Sequence, residues 1–106
     1  MKLQVSPASY SLIVPIIEHE ANRHGYAIGL HGSMQRDLDI IAFPWIEHVD
    51  HYSILLESIL NALNGNIERG PIVKPHKRIG FIIGLGSIHS IKPHIDLSIF
   101  LSNTDI

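Results

Sequence analysis

Gly32-Ser33-Met34-Gln35-Arg36-Asp37-Leu38-Asp39 runs straight into the apolar segment Ile40-Ile41-Ala42-Phe43. Tyr26 to His31, just before it, reads as one strand, and Leu38 to Phe43 reads as a second. Only a few loop residues, Gly32 and Ser33 among them, separate the two, and a connection that short predicts an antiparallel pair. Asp37 and Asp39 are two positions apart, so on an extended chain both carboxylates point to one face. The unbroken apolar run behind them predicts a strand buried on both faces at its far end. Pro44 ends that strand, and Trp45 follows as a core or rim aromatic, with stacking on a base as the alternative.

Toward the N-terminus, residues 1 to 8 read as an arm. From about Tyr10 to His24, Ile13, Ile16, Ile17 and Ala21 alternate with Glu18, His19, Asn22 and Arg23 at helical spacing. Gly25 stands where a helix C-cap belongs. Pro15 either kinks this helix or lies in its first turn, with the helix starting near Val14.

Toward the C-terminus the helical pattern is clearer. Asp50 is a candidate N-cap, and Tyr52, Leu55, Leu56, Ile59 and Leu63 repeat on one face until Asn64-Gly65 closes the helix. Asn66 to Lys77 reads as a loop with Pro71 and Pro75, within which Ile72-Val73 could be a short strand. Arg78 to Leu85 and Ile95 to Leu101 read as the third and fourth strands, with Gly84, Gly86 and Ser87 in a turn region and a tail from Ser102. The pattern predicts one α+β domain over residues 1–106: a small, mostly antiparallel or mixed sheet of about four strands, with helices on one face.

Composition narrows the function classes. The 106 residues are 45% hydrophobic, enough for one core. With 8 Lys+Arg against 10 Asp+Glu, the net charge of -2 supplies no field that would steer the chain onto nucleic acid or an acidic membrane. The chain has no cysteine, which excludes disulfides and thiolate metal sites. Met1 to Pro7 lacks the apolar core of a signal peptide, and Leu12 to Ile17 is too short to span a bilayer. The expectation is a soluble cytoplasmic domain without membrane contact.

An Asp inside an apolar strand is costly unless something compensates it. Asp37, Asp39 and Asp96, the last within Ile95-Asp96-Leu97-Ser98-Ile99-Phe100, all stand beside apolar strand residues. Mg²⁺ or Mn²⁺, which prefer oxygen ligands, would compensate them. An ion pair with Arg36, Arg78 or Lys92 is the alternative for Asp96, and a hairpin turn is the alternative for the Asp37/Asp39 pair. His48 and His51 lie three apart but match no specific zinc motif.

Gly32-Ser33, then Asp37-Leu38-Asp39, then Asp96 on a later strand resembles the nucleotidyltransferase superfamily, the polymerase-beta-like fold. The resemblance covers about residues 12 to 101. The wording His-Gly-Ser, Arg-Asp-Leu-Asp and Pro-Trp is similar to small nucleotidyltransferase-like proteins of phages and prophages. The resemblance implies a minimal nucleotidyltransferase-like fold and Mg²⁺-dependent transfer of a nucleotidyl group from a nucleoside triphosphate to a hydroxyl. It implies Asp37 and Asp39 as ligands to both metals, and Asp96 as a ligand to one and as an aid in deprotonating the acceptor. Gly32 and Ser33 would meet the triphosphate. Arg36, Lys74, Lys77 or Arg78 could contact phosphates.

The chain departs from that family pattern in two respects: its 106 residues leave no room for the extra acceptor-binding domain that active enzymes often carry, and the phosphate-binding segment is short. Only Met34, Gln35 and Arg36 separate Gly-Ser from Asp-x-Asp, where active members carry a longer segment that opens a short helix. An inactive module of the same fold, phage-encoded and acting by binding a partner protein or nucleic acid, is therefore the second expectation. A homodimer, or a catalytic half that needs a separate helical chain, also fits the size.

Overall fold

The computed structural model describes residues 7–31, 38–85 and 94–105. The element order is α1 (Pro7–Arg23), β1 (Tyr26–His31), β2 (Leu38–Pro44), α2 (Tyr52–Leu63), β3 (Asn66–Lys74), β4 (Arg78–Gly84) and β5 (His94–Phe100), then a 3-10 turn over Asn103–Asp105. This is an α+β architecture with a five-stranded mixed sheet in the order β1-β2-β5-β4-β3. β1–β2, β4–β5 and β3–β4 pair antiparallel, whereas β2 and β5, at the centre, run parallel. A parallel pair needs a crossover, and α2, β3 and β4 supply it.

Alternation decides which sheet face is buried. Leu38, Ile40 and Ala42 of β2, Ile95, Leu97 and Ile99 of β5, and Ile79, Phe81 and Ile83 of β4 join Ile17 and Ala21 of α1 and Leu55, Leu56 and Ile59 of α2 in one core cluster. The intervening residues Asp39 and Ile41 on β2 and Asp96 on β5 are half-buried on the opposite face. The apolar run of β2 therefore does not mark a strand buried on both faces: both helices contribute to the core on one side only.

Five strands replace the expected four. The region read as a loop from Asn66 to Lys77 is β3 through Lys74, followed by a tight turn in which His76 and Lys77 adopt positive φ of 63° and 54°. Its residues 66–73 are exposed, and its register against β4 shifts between Ile67 and Arg69 and again between Arg69 and Ile72. Gly and Pro, which argue against a central strand, are tolerated at such an irregular edge. Pro15 is interior to α1 rather than in its first turn. It lies on the exposed side, so the backbone bond that its nitrogen cannot make is given up toward water. Gly25, at φ +90, turns the chain from α1 into β1, and a Cβ there would come within 2.9 Å of both Ile46 and Val49.

The start of α2 differs from the expected Asp50 cap. His51 is the N-cap, its ring accepting from the Ser53 amide. Asp50 instead receives His24 Nδ1 at 2.7 Å on its carboxylate and the Tyr26 hydroxyl at 2.7 Å on its carbonyl. Burial, with Asp105 and Asp50 adding to it, pushes the Tyr26 phenol above its ordinary range. Asp105, read from sequence as part of a tail, is fully buried at its side chain. It accepts from the Tyr52 and Ser102 amides, both at 2.7 Å, and so ties the C-terminal turn to the positive end of α2. Asp105→Ala leaves two amides without their acceptor and is expected to cost about 2 kcal/mol in urea unfolding.

Between the helices, Glu20 accepts from Ser58 Oγ at 2.8 Å and from Arg23 Nη1 at 2.9 Å. The Ser58 and Arg23 hydrogen bonds hold its carboxyl below the usual carboxylate value against the opposing effect of burial. A carboxyl lowered in the folded state adds stability above its unfolded pKa and loses it as pH falls through the folded value. Wild type is thus expected to exceed Glu20→Gln in urea midpoint at pH 7 and to approach it at pH 3.

Candidate functional site

The central parallel pairing sets Asp39 of β2 directly beside Asp96 of β5. Neighbouring strands lie about 4.8 Å apart, so two carboxylates in register on one face are close. Like charges so placed repel unless a cation joins them. Both line an open cleft of about 200 Å³ on the sheet face opposite the helices, together with His31, Ile40, Ile41, Lys74, Arg78 and Ser98.

Lys74 supplies positive charge at this cleft. Its Nζ lies 3.3 Å from Asp96 Oδ1 and donates to Ser98 Oγ at 2.7 Å. The cationic partner of Asp96 is thus Lys74, not Arg78, whose Nε donates to the Pro75 carbonyl and whose guanidinium sits 5.8 Å from the Phe100 ring centre. The other two candidates, Arg36 and Lys92, lie outside the described residues. Two glycines of β4 open lanes for long side chains of β3. Lys74 passes over Gly80, and Glu68 passes over Gly84 to bring Oε2 within 2.7 Å of His94 Nε2. That last contact is close without the alignment of a hydrogen bond.

Asp39 and Asp96 are thus brought together by the parallel β2–β5 pairing. Asp37, Gly32, Ser33 and Arg36 lie outside the described residues. Gly86 and Ser87, read as part of the turn before β5, do too. Among the described residues, no three His, Asp or Glu side chains converge as a metal site. Asp39 and Asp96 offer only carboxylate oxygens, a donor set that suits Mg²⁺ or Mn²⁺. His51 is engaged at the α2 cap, and His48 is exposed. Trp45 is 74% exposed and is no part of the core.

Ser98 carries no motif of its own in the sequence. The alternation His94, Asp96, Ser98 against Ile95, Leu97, Ile99 would have placed it on the same face as Asp96. Lys74 is among the basic candidates, but a loop over Asn66 to Lys77 gives its side chain no inward direction. No helix among the described residues is long and apolar enough to cross a membrane. No protein-family model matches the chain, and no curated protein matches it either.

Proposed function

We propose that this chain is a nucleotidyltransferase-like domain that carries out Mg²⁺- or Mn²⁺-dependent transfer of a nucleotidyl group from a nucleoside triphosphate to a hydroxyl acceptor. The observation that carries the reading is the register of Asp39 against Asp96 on the open face of a helix-backed sheet. Asp37, two residues before Asp39, completes the carboxylate set in this reading. The bound cations supply charge neutralisation and a lowered acceptor pKa. Asp96 orients the acceptor hydroxyl and takes up its proton as the oxygen bonds to the α-phosphorus and pyrophosphate leaves. Gly32, Ser33 and Arg36 meet the triphosphate. The compartment is the cytoplasm, where Mg²⁺ and nucleoside triphosphates occur together.

The test is a turnover assay with triphosphate labelled at the α or the γ position and a panel of hydroxyl acceptors that includes RNA ends and small alcohols. Label from the α position should enter product while the γ label leaves as pyrophosphate. Release of inorganic phosphate instead, or no turnover with any acceptor, would count against the reading.

A specific observation favours a second one. The edge strand β3 exposes Ile67, Ile72 and Val73, the last at 88%. Nothing among the other four strands covers its outer edge. A catalytically inactive module, phage-encoded or otherwise, that binds a partner protein, a nucleic acid or a second copy of itself would use such an edge. Its binding would survive Asp39→Asn, whereas nucleotidyl transfer would not.

A further inference from the structure

We propose that Lys74 is the resident counter-cation of Asp96 in the candidate site: its ammonium holds the position at Asp96 that a divalent cation takes, and gives it up when cation and triphosphate enter. The inference rests on the metal-dependent reading above. It assigns Lys74 as a positioning residue whose charge moves from carboxylate to phosphate.

Three observations support it. The first is direction. Residues 66–73 of the edge strand are exposed, yet Lys74, the last residue of that strand, is only 25% exposed at its side chain because it crosses β4 toward the sheet centre. Extending into water would cost such a chain nothing, and folding it inward gives up rotamer freedom.

The second is the lane. Ser98 lies opposite Gly80 in the β4–β5 register, and a Cβ at Gly80 would come within 2.5 Å of Lys74 Cε and 3.0 Å of Nζ. Any larger residue there would evict the lysine while leaving the backbone pairing in place.

The third is the pattern of bonds at the tip. The shorter contact, 2.7 Å, goes to the neutral Ser98 hydroxyl, and the longer, 3.3 Å, goes to the Asp96 carboxylate. The ammonium is thus seated by two groups, and one of them, the Ser98 hydroxyl, is a group that a divalent cation does not need. Asp96 is 37% exposed at its side chain, so a cation can reach it from solvent. A lysine suits this exchange, since its charge is compact and its stem is flexible, whereas an arginine would lock the carboxylate in a bidentate pair.

The experiment measures Mn²⁺ binding by electron paramagnetic resonance on wild type, Lys74→Gln and Gly80→Ala. It also follows the Lys74 ε-methylene NMR signal of wild type during a Mg²⁺ titration. Lys74→Gln removes the competing charge, and Gly80→Ala keeps the charge but displaces it. Both should bind Mn²⁺ about fivefold more tightly than wild type, the range of a partly exposed ion pair. The Lys74 signal should shift as Mg²⁺ is added, and triphosphate should bind Lys74→Gln more weakly than wild type at saturating Mn²⁺.

Equal or weaker Mn²⁺ binding by both variants overturns the proposal. So does tighter binding by Lys74→Gln alone, because the seat beside Ser98 would then be immaterial. An unmoved Lys74 signal at saturating Mg²⁺ overturns it as well. If neither wild type nor variants bind Mn²⁺, the metal-dependent reading itself falls, and the role of Lys74 falls with it.

Discussion

Asp39→Asn is expected to weaken Mn²⁺ binding at least about a hundredfold and to lower nucleotidyl transfer about a thousandfold, with no loss of fold. The magnitude follows from what cations supply in such a site: several kcal/mol of transition-state charge stabilisation, at about 1.4 kcal/mol for each factor of ten. The substitution keeps the side chain's shape and one oxygen while removing the charge. Asp39 stands directly beside Asp96 in the parallel register, so losing one negative charge also relieves repulsion in the metal-free protein. Thermal unfolding without metal should therefore change far less than Mn²⁺ binding does. That combination of lost binding with largely kept stability separates a ligand from a residue that merely holds the sheet together. Calorimetry without metal and Mn²⁺ titration of the same sample would measure both halves.

Leu97→Ala is expected to lower stability by about 3 kcal/mol, within the usual range for a leucine truncated in a tight core. Leu97 is fully buried on β5, with β2 on one side and β4 on the other. Ile40 and Phe81 are its direct cross-strand partners and, like Ile99, are buried in the same cluster. A small domain holds only about 5–15 kcal/mol in total, so this one change would remove a large share. Val73→Ala on the exposed edge strand is the matched control and should stay within about 0.5 kcal/mol of wild type. Urea midpoints at one pH decide both. Because Leu97 adjoins Asp96 in sequence, its loss should also reduce Mn²⁺ binding, but only under conditions where the fold loosens.

The parts of the fold that the sequence made legible are those where one interaction dominates. Tyr26–His31 and Leu38–Pro44 stand out as strands because short apolar runs flank Gly and Ser, and the short link between them forces an antiparallel pair. The α2 stripe of Leu55, Leu56 and Ile59 is legible because a helix with one buried face needs that spacing. β3 was hidden because its residues have no buried face to pattern against, and Gly70-Pro71 reads locally as a break. The cap of α2 is not legible for a related reason. Asp50 has the better local chemistry, but it is drawn to His24 and Tyr26 by contacts distant in sequence, and Asp105 from the far end of the chain serves the helix start instead.

The candidate site divides in the same way. The spacing of Asp39 and the alternation around Asp96 show that each belongs to a strand face. That they sit in register depends on the parallel β2–β5 pairing, which no local pattern encodes. The lysine that reaches them depends on a missing side chain at Gly80, one strand away from the residue it serves.

The most direct measurement is an amide NMR titration of the purified protein with Mg²⁺ and Mn²⁺, with and without each nucleoside triphosphate, following Asp39 and Asp96. Metal and triphosphate together should shift or broaden both signals in the wild type and leave them unmoved in Asp39→Asn. If both signals stay in place at millimolar metal and triphosphate, the carboxylate pair is not a cation site in this chain. The exposed edge of β3 would then be the surface on which to look for its function.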